Sequence, residues 1–359
     1  MFVPLMADMD WQITDDLSAR AFARTPVPMQ QHPFYGRACA AIGSRVVQMS
    51  LGGAAMGADP PASAQVLVRR WPLFGDFALI ARGPVWDPGT PALQTRQSIR
   101  DLCATLRRTC RGVMITSERL EGEDLADGQG LLPLVTPGSQ ARLALGSPDE
   151  MLARQRGKWR NRLRRAQDGP LRVSHAPLPD EPDHWLLLRE EAQSKRRRYR
   201  RLPMQFTAAW RATNGARSTR LFVARYGKVP VAAMLFLLHG GGASYHIGWS
   251  DELGRQCHAH NLLLWEASRW LSDRGYSWID LGTLDTESTP GLARFKLGAG
   301  AQPLMLGTTF LDAPGARPVA WLFGHRQNRA RGLPGRADTL SRATKDTARP
   351  YALTQTGAE

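Results

Sequence analysis

The chain has 359 residues, of which 43% are hydrophobic, and its formal net charge at pH 7 is +15, with a sequence pI of about 10.6. This length and apolar content exclude a disordered tail and allow two domains of ordinary size. The positive charge indicates a polyanionic partner such as RNA, a nucleotide or an anionic membrane surface, although an arginine-rich chain can also be basic without binding a polymer.

Cysteine usage and hydropathy indicate a cytoplasmic protein. The four cysteines (Cys39, Cys103, Cys110 and Cys257) follow no spacing typical of disulfides or zinc sites, as expected in a reducing compartment. The N-terminal sequence MFVPLMADMDWQ has neither a basic region nor a long apolar core, so we expect no secretory signal. The longest apolar run, residues 229–238, is too short to span a bilayer.

The first part of the chain alternates helix and strand signals. Helices are predicted at residues 33–42 and 91–108. Strands are predicted at residues 65–68, 77–81 and 113–116. A stretch rich in Gly, Pro and Asp, residues 122–138, then separates this α/β unit from the second part of the chain.

A strong helix start opens the second part. Ser147 is a capping serine, a proline follows at the first helical position, and Glu150 completes a capping box. The apolar side chains that share one face of this helix are Leu152, Trp159, Leu163 and Ala166. One continuous helix is therefore predicted, which covers a sheet with its apolar face and presents Arg and Lys on the rest of its surface.

Positive charge is concentrated in residues 151–201, which hold 15 Lys and Arg against 6 Asp and Glu, a net charge of +9. This segment ends in the cluster KRRRYRR, at the end of a helix predicted from about residue 182. One or two cations would suit the helix dipole there, whereas six predict an anion-binding site. We therefore expect Arg197 and Tyr199 to contact the substrate.

The remaining elements follow at short intervals. Helices are predicted at residues 205–212 and 261–274, and strands at 219–225, 229–239, 243–249, 277–281 and 304–311. From residue 312 the composition changes to Pro, Gly, Arg and Thr, which predicts a mostly extended tail. Its apolar run at residues 319–323 either touches an anionic membrane or packs back on the domain.

A polar loop follows the predicted strand 277–281, an apolar run that carries Asp280. Residues 285–289 are five hydrogen-bonding side chains, and Pro290-Gly291 then turns the chain into the segment LARFK. Polar groups between two apolar elements are costly to bury unless they bind a ligand. The loop is therefore either part of a site or a solvated connection.

Four segments, KWRNRLRRA, SYHIGWSDE, WIDLG and ARFKLGAG, together resemble the FemAB/BioF2-like branch of the GNAT acyltransferase superfamily. The first half, with ALIARGPVWDP, resembles the companion domain of those proteins, so the likeness covers residues 30–311. It implies an α/β (α+β) fold of two GNAT-like domains, each a mixed, mostly antiparallel sheet flanked by helices. We place these domains at residues 30–145 and 146–311, between an N-terminal extension (1–29) and a basic tail (312–359).

The resemblance implies a catalytic role for Lys296, which matches a lysine near the reacting ester in the peptidyltransferase members. An ammonium beside a tetrahedral oxyanion stabilises charge that exists only in the transition state, an effect of about 3 kcal/mol. Tyr245 and His246 alternate on a strand, so only one of them can face the site, and His246 is suited to relay a proton at neutral pH. The candidate substrate-binding residues in the polar loop are Asp285, Glu287 and Ser288.

The expected donor site departs from that of acetyl-CoA enzymes, which hold the pyrophosphate on glycine-rich backbone amides. The matching segment, residues 254–261, has one glycine, but Arg255, His258, Asn261 and the free helix N-terminus can still hold an anion. His258 and His260 have no acidic or cysteine companion at ligand spacing, so no metal is expected.

These observations predict an N-acyltransferase that moves an acetyl-type group from a thioester donor, such as an acyl-CoA, to an amine on a small molecule or a cell-envelope precursor. No permanently bound cofactor is expected. Two alternatives stay open: a FemAB-type peptidyltransferase that uses aminoacyl-tRNA, and a non-catalytic protein that binds RNA or a membrane surface. A binding protein would need the basic cluster but not Lys296. We expect the protein in the cytoplasm or at the inner membrane face.

Overall fold

The computed structural model describes residues 10–14, 27–52, 60–87 and 92–316, apart from 121, 182, 198, 200 and 201, together with residues 90, 318 and 320. The predicted extended tail and its apolar run therefore lie almost entirely outside the described residues, as does most of the N-terminal extension.

In chain order, the elements of the first part are β1 (Trp11–Ile13), α1 (Pro33–Ala41), β2 (Arg45–Leu51), β3 (Ala62–Trp71), β4 (Gly75–Ala81), β5 (Val85–Trp86), α2 (Ala92–Leu106), β6 (Gly112–Thr116), β7 (Leu132–Val135) and β8 (Ser139–Ala144). Those of the second part are α3 (Pro148–Arg154), α4 (Gly157–Gln167), β9 (Leu171–Ala176), α5 (Trp185–Arg197), α6 (Met204–Asn214), β10 (Thr219–Tyr226), β11 (Val229–His239), β12 (Gly242–Ser250), α7 (Glu252–Gln256), α8 (Ala259–Ser272), β13 (Trp278–Thr283), α9 (Pro290–Gly298), β14 (Gln302–Met305) and β15 (Thr309–Asp312).

The strands form two mixed sheets. The first has the order β1-β2-β3-β4-β6-β15-β7, with β5 paired to β3, and the second has the order β14-β8-β13-β12-β11-β10-β9. Most neighbouring strands are antiparallel, and each sheet contains one parallel pair, β4 with β6 and β12 with β13. Helix α2 packs on the first sheet, and α4 and α8 pack on the second. The predicted α/β (α+β) fold of two sheets flanked by helices is confirmed.

The predicted domain boundaries do not match the sheets. Strand β8, assigned from the sequence to the first domain, pairs with β13 and β14 of the second sheet. Strand β15, assigned largely to the second domain, returns to the first sheet and pairs with β6 and β7. Strand β1, within the predicted extension, pairs with β2. These exchanges satisfy backbone groups that would otherwise be unpaired strand edges.

Two elements predicted as continuous are each divided. The capping box at Ser147 is present, but the helix breaks at Gln155, whose ψ of 143° is extended, and the Arg156 amide donates to the Gly298 carbonyl at 2.9 Å. The predicted strand 304–311 is two short strands in different sheets. Between them the Thr308 amide donates to an Asp124 carboxylate oxygen at 2.6 Å, which turns the chain from one sheet to the other.

Candidate functional site

The parallel strands β12 and β13 separate at the middle of the second sheet. Only residues 242–244 pair with residues 278–280, although β12 continues to Ser250 and β13 to Thr283. A β-bulge interrupts the pairing of β12 with β11, because Tyr245 lies opposite Phe236 while Ile247 lies opposite Leu235. We call the opening beyond residues 244 and 280 the strand gap. Beyond these residues the two strands no longer pair with each other, and side chains take part in bonding the backbone of β13: the Gly282 amide donates to Asp280 and the Thr283 carbonyl accepts from Lys296.

A small, mostly apolar cavity lies at the strand gap. Its lining consists of Met234, Tyr245, Leu264, Leu281, Leu292, Phe295 and Lys296. Two of the three predicted catalytic residues, Tyr245 and Lys296, therefore share one cavity. They come from different elements, β12 and α9, and 50 intervening residues separate them in the sequence.

The Lys296 amine is the cationic group of this cavity. Lys296 is only 4% exposed, and its Nζ donates a hydrogen bond to the carbonyl of Thr283 at 2.7 Å. Burial lowers the pKa of Lys296 to about 8, against the opposing effect of the Asp280 carboxylate. The amine lies 3.8 Å from the place that a Cβ on Gly282 would take, and Gly282 has a φ of +79°, which favours glycine. The end of β13 is thus shaped around this lysine.

Tyr245 lines the same cavity and is partly buried. Its ring packs on Phe236 with centroids 5.8 Å apart. Its hydroxyl lies directly over Gly248, where an added Cβ would be 1.6 Å from the oxygen. Burial, and then the nearby Glu190 and Tyr199, raise the pKa of Tyr245, so the phenol keeps its proton at neutral pH.

A buried acid beside this tyrosine was not found from the sequence. Glu190 is 5% exposed and accepts hydrogen bonds from the Tyr199 hydroxyl at 2.7 Å and from Gln193 Nε2 at 3.3 Å. Gln193 also donates to the Gly248 carbonyl at 3.2 Å, which ties α5 to β12. The predicted substrate residue Tyr199 therefore lies next to the strand gap, whereas the side chain of Arg197 lies outside the described residues. The one feature of the sequence that could have indicated Glu190 is that it is an acid within the strongly basic residues 151–201.

His246 is not among the residues that line the cavity with Lys296, and its role as a proton relay stays a prediction. It is the extra residue of the β-bulge, and its Nε2 lies 2.7 Å from the Thr207 hydroxyl of α6. Its ring packs on Phe206, with centroids 6.0 Å apart. His246 therefore packs on α6, whereas Tyr245 packs on Phe236 and lines the cavity with Lys296.

The polar loop after β13 is solvated rather than buried. Asp285 accepts backbone hydrogen bonds from Ser288 at 2.7 Å and from Glu287 at 3.0 Å, and these bonds lower its pKa. Glu287 and Ser288 are exposed. Asp285 closes the turn that precedes α9, so its carboxylate is already engaged. A direct substrate role for these three residues stays a prediction without a contact to support it.

The predicted donor residues surround the start of α8. His258 is in the left-handed conformation with a φ of +53°, and burial, Arg162 and Arg165 lower its pKa, which places the two arginines of α4 close to it. Asn261 is 6% exposed, and its Nδ2 has no hydrogen-bond partner within the described part of the chain. The guanidinium of Arg255 pairs with Glu252 at 2.6 Å on the surface, and its role in donor binding stays a prediction.

Comparison with known families decides what kind of domain holds these residues. A family model described as an acetyltransferase (GNAT) domain matches residues 153–301. These residues form a GNAT domain. The match includes the strand gap, Tyr245, Lys296, the start of α8 and the arginines of α4, so every group described above at the strand gap and at the start of α8 belongs to the GNAT domain or adjoins it.

Solved structures resemble the whole described chain at low sequence identity. The crystal structure of FemX has a TM-score of 0.67 at 12% identity, and the alignment covers 88% of this chain and 99% of FemX. A conserved protein of unknown function from Bacteroides thetaiotaomicron has a TM-score of 0.54 at 12% identity, covering 84% of this chain and 99% of that protein.

The C-terminal domain of a putative lysylphosphatidylglycerol synthetase from Agrobacterium fabrum has a TM-score of 0.50 at 13% identity, covering 82% of this chain and 92% of that domain. No curated protein matches the sequence significantly. These structural similarities concern the fold.

The first sheet contributes a buried charge to the GNAT domain. Arg82, directly after β4, donates to the carboxylate of Asp280 in β13. Its second partner is Glu118, two residues after the end of β6, at 2.6 Å. Glu118 also pairs with Arg142 of β8 at 3.3 Å. The carboxyl ends of β4 and β6 thus meet β13 two residues before the strand gap widens at Gly282. Asp280 in turn accepts the Gly282 amide at 2.7 Å.

No metal centre accompanies these groups. Within residues 10–316 as far as they are described, no group of three or more His, Cys, Asp or Glu side chains is placed to hold a metal ion. In the same part of the chain, no helix combines the length and apolar character needed to cross a bilayer.

Proposed function

We propose that the protein transfers an acetyl-type acyl group from a thioester donor to an amine, with the reacting carbonyl at the strand gap. The observation that carries this proposal is the buried side chain of Lys296, which lines one cavity together with Tyr245 inside the region that matches the GNAT domain. Few water molecules reach a buried ammonium, so its interaction with the charge that develops on a reacting oxygen is weakly screened and therefore strong.

The two side chains suit different steps of acyl transfer. The acceptor amine attacks the thioester carbonyl, a carbon–nitrogen bond forms, and the carbonyl oxygen becomes an oxyanion beside the Lys296 ammonium. When the carbon–sulfur bond breaks, the leaving thiolate takes the phenol proton of Tyr245, and the new amide nitrogen releases its surplus proton to solvent. Tyr245 recovers a proton from water before the next turnover.

The start of α8 suits the phosphate groups of the donor. A 14-residue helix presents free amides at its N-terminus, and Arg162, Arg165 and the unpartnered Nδ2 of Asn261 add donors and positive charge. His258, in the left-handed conformation, fills the place that glycines take in acetyl-CoA enzymes. Arg255, whose charge is matched by Glu252, stays a predicted member of this group.

The acceptor is proposed to enter beside α5, where Glu190 and Tyr199 line the approach to Tyr245. The basic cluster that includes Arg197 follows directly in the chain and favours an acceptor with a negative charge, such as an anionic cell-envelope precursor that bears an amine. Asp285, Glu287 and Ser288 lie on the loop between β13 and α9, at the other side of the strand gap.

A second candidate donor is aminoacyl-tRNA, and one observation favours it. Arg162, Arg164 and Arg165 of α4 are exposed, and no ion pair involves them within the described part of the chain. A row of unmatched cations on one helix suits a phosphate backbone better than a single pyrophosphate. The attack on the ester carbonyl would be the same, with a ribose oxygen as the leaving group.

Thermal shifts measured in parallel test the choice of donor. Purified protein is titrated with acetyl-CoA, longer acyl-CoAs, acyl carrier protein and charged tRNA at one ionic strength, because any ligand of the native state raises the melting temperature in a dose-dependent way. The thioester proposal expects a shift with acyl-CoA and acylation of an amine. A shift with charged tRNA alone overturns the choice of donor, and binding without transfer would favour a non-catalytic protein.

A further inference from the structure

The turn between β3 and β4 presents an apolar tip to solvent. Leu73 is 102% exposed and Phe74 is 65% exposed, the two largest exposures of a large hydrophobic residue in this hairpin. Trp71 is 42% exposed, and its ring stacks on Phe77 with centroids 4.6 Å apart. Three large apolar side chains thus stand together at one end of the first sheet.

The backbone holds this tip in a defined shape. The Phe74 amide donates to the Trp71 carbonyl at 3.1 Å, with Pro72 at the second position of the turn. Leu73 has a φ of +68°, a conformation in which glycine or asparagine is the usual residue. A leucine in this conformation, with its whole side chain in water, has no advantage for folding, because no core is gained and the backbone is disfavoured.

Exposed arginines lie next to the tip, in the hairpin and in the segment between α2 and β6. Those exposed within the hairpin are Arg69 and Arg70, and those exposed at the end of α2 are Arg108 and Arg111. Arg70, Arg108 and Arg111 border one open cleft with Gly75 and Asp76. The Asp76 carboxylate is bound by Arg45 at 3.1 Å, and no ion pair involves Arg70, Arg108 or Arg111 within the described part of the chain.

We propose that this hairpin tip, residues 71–74, docks the protein on an anionic lipid bilayer. Apolar side chains at the centre would enter the boundary between headgroups and acyl chains, while the surrounding guanidinium groups would contact lipid phosphates. The combination decides the partner: an apolar tip alone would suit another protein, and arginines alone would suit any polyanion. Charge and apolar area arranged in this way fit a negatively charged membrane surface.

The position of the tip keeps it separate from the proposed active site. It precedes β4, whereas Arg82 and its contact with Asp280 follow the other end of the same strand. Changes at the tip should therefore leave acyl transfer in solution unchanged. Membrane docking and acyl transfer can then fail independently, so the two proposals are separately testable.

Cosedimentation with vesicles tests the docking. Full-length protein is mixed with vesicles of phosphatidylcholine alone or with one third phosphatidylglycerol, at low and at high salt. We expect binding to the anionic vesicles only, and weaker binding at high salt because the charges are exposed. A Leu73→Ser, Phe74→Ser variant should lose about tenfold or more in partitioning, given the apolar area removed. The matched control is Tyr226→Ser, Val229→Ser, which removes exposed apolar side chains from the β10–β11 turn.

A second pair of variants tests the arginines. Arg70→Gln, Arg108→Gln, Arg111→Gln should lower partitioning by about a hundredfold at low salt, since each arginine near an anionic surface contributes about fivefold. Its control removes the same charge elsewhere, by Arg172→Gln, Lys228→Gln, Arg269→Gln. Equal losses for test and control variants would overturn the proposal. So would equal binding to neutral vesicles, no vesicle binding, or a wild-type dimer that only the Leu73 and Phe74 changes dissociate.

Discussion

Arg82 and Asp280 form a buried ion pair that joins the two sheets, with side chains only 7% and 6% exposed. They are 198 residues apart in the sequence. Burial lowers the pKa of Arg82, but the carboxylates of Asp280 and then Glu118 raise it by more. The net shift is upward, so the guanidinium stays charged. Asp280 also accepts a hydrogen bond from the Gly282 amide, and its charge raises the pKa of Lys296 against the effect of burial. The ion pair therefore links the first sheet to the strand gap.

Removing one member of this pair should destabilise the protein strongly. Arg82→Met leaves the Asp280 carboxylate buried without its partner, and breaking such a pair typically costs about 3–5 kcal/mol of unfolding free energy. Urea denaturation of Arg82→Met, Asp280→Asn and the double variant measures the coupling. We expect the double variant to be more stable than the sum of the single losses implies. Additive losses would mean that the two side chains do not interact.

Lys296→Met should remove most turnover while the protein stays folded. The loss of a donor aimed at an oxyanion lowers kcat by roughly 100- to 1000-fold, and the Michaelis constants should change much less. The control is Lys228→Met, which removes an exposed lysine from the β10–β11 turn. Steady-state rates with the donor found by thermal shift measure both variants. An unchanged kcat in Lys296→Met would refute the assignment.

The pH dependence of stability should report the buried amine. The pKa of Lys296 is lowered from 10.5 to about 8 in the folded protein, so between these values the unfolded chain binds more protons. Below about pH 8 the buried amine is charged, and its desolvation lowers the free energy of unfolding by the full amount. As the pH rises above about 8, the free energy of unfolding of the wild type should therefore rise relative to that of Lys296→Met. Denaturation of both proteins at about pH 7 and about pH 9.5 measures this difference. A difference that does not change with pH would show that the amine is not desolvated.

Gly248→Ala should reduce activity by displacing Tyr245. An added Cβ would lie 1.6 Å from the Tyr245 hydroxyl, so the phenol must leave its present position. We expect a loss in kcat of roughly tenfold or more, within the range assigned to a misplaced proton donor. Gly291→Ala is the control, since an added Cβ at that position in α9 meets nothing within 4 Å. Retained activity in Gly248→Ala would remove Tyr245 from the mechanism.

The double variant Arg162→Gln, Arg165→Gln should bind the donor more weakly, while kcat of the bound complex stays the same. The two arginines flank His258 at the start of α8, where the donor phosphates are proposed to bind. Loss of charged hydrogen bonds should raise the donor KM by roughly tenfold or more, with kcat unchanged. Arg172→Gln, an exposed change on β9, serves as the control. If donor KM is the same in all three proteins, the phosphates bind elsewhere.

Local signals in the sequence determined the types of most elements and part of the site. The capping box at Ser147 marked a helix start, and apolar runs marked strands β10 to β13 of the second sheet but not β8 or β9, because caps and periodic burial depend on neighbouring residues. The motif around Lys296 pointed to a lysine that does lie in a cavity with Tyr245.

The tertiary structure alone decided which strands share a sheet and which side chains meet. Strands β8 and β15 exchange between sheets because distant backbone edges pair, and no local pattern specifies a distant edge. Alternation along β12 predicted that only one of Tyr245 and His246 faces the site, but only the fold showed that Tyr245 lines the cavity with Lys296 while His246 packs on α6. In the sequence, Asp280 is an acid within an apolar strand with no visible partner. Only the fold shows that Arg82 neutralises it, and a buried charge needs such a partner.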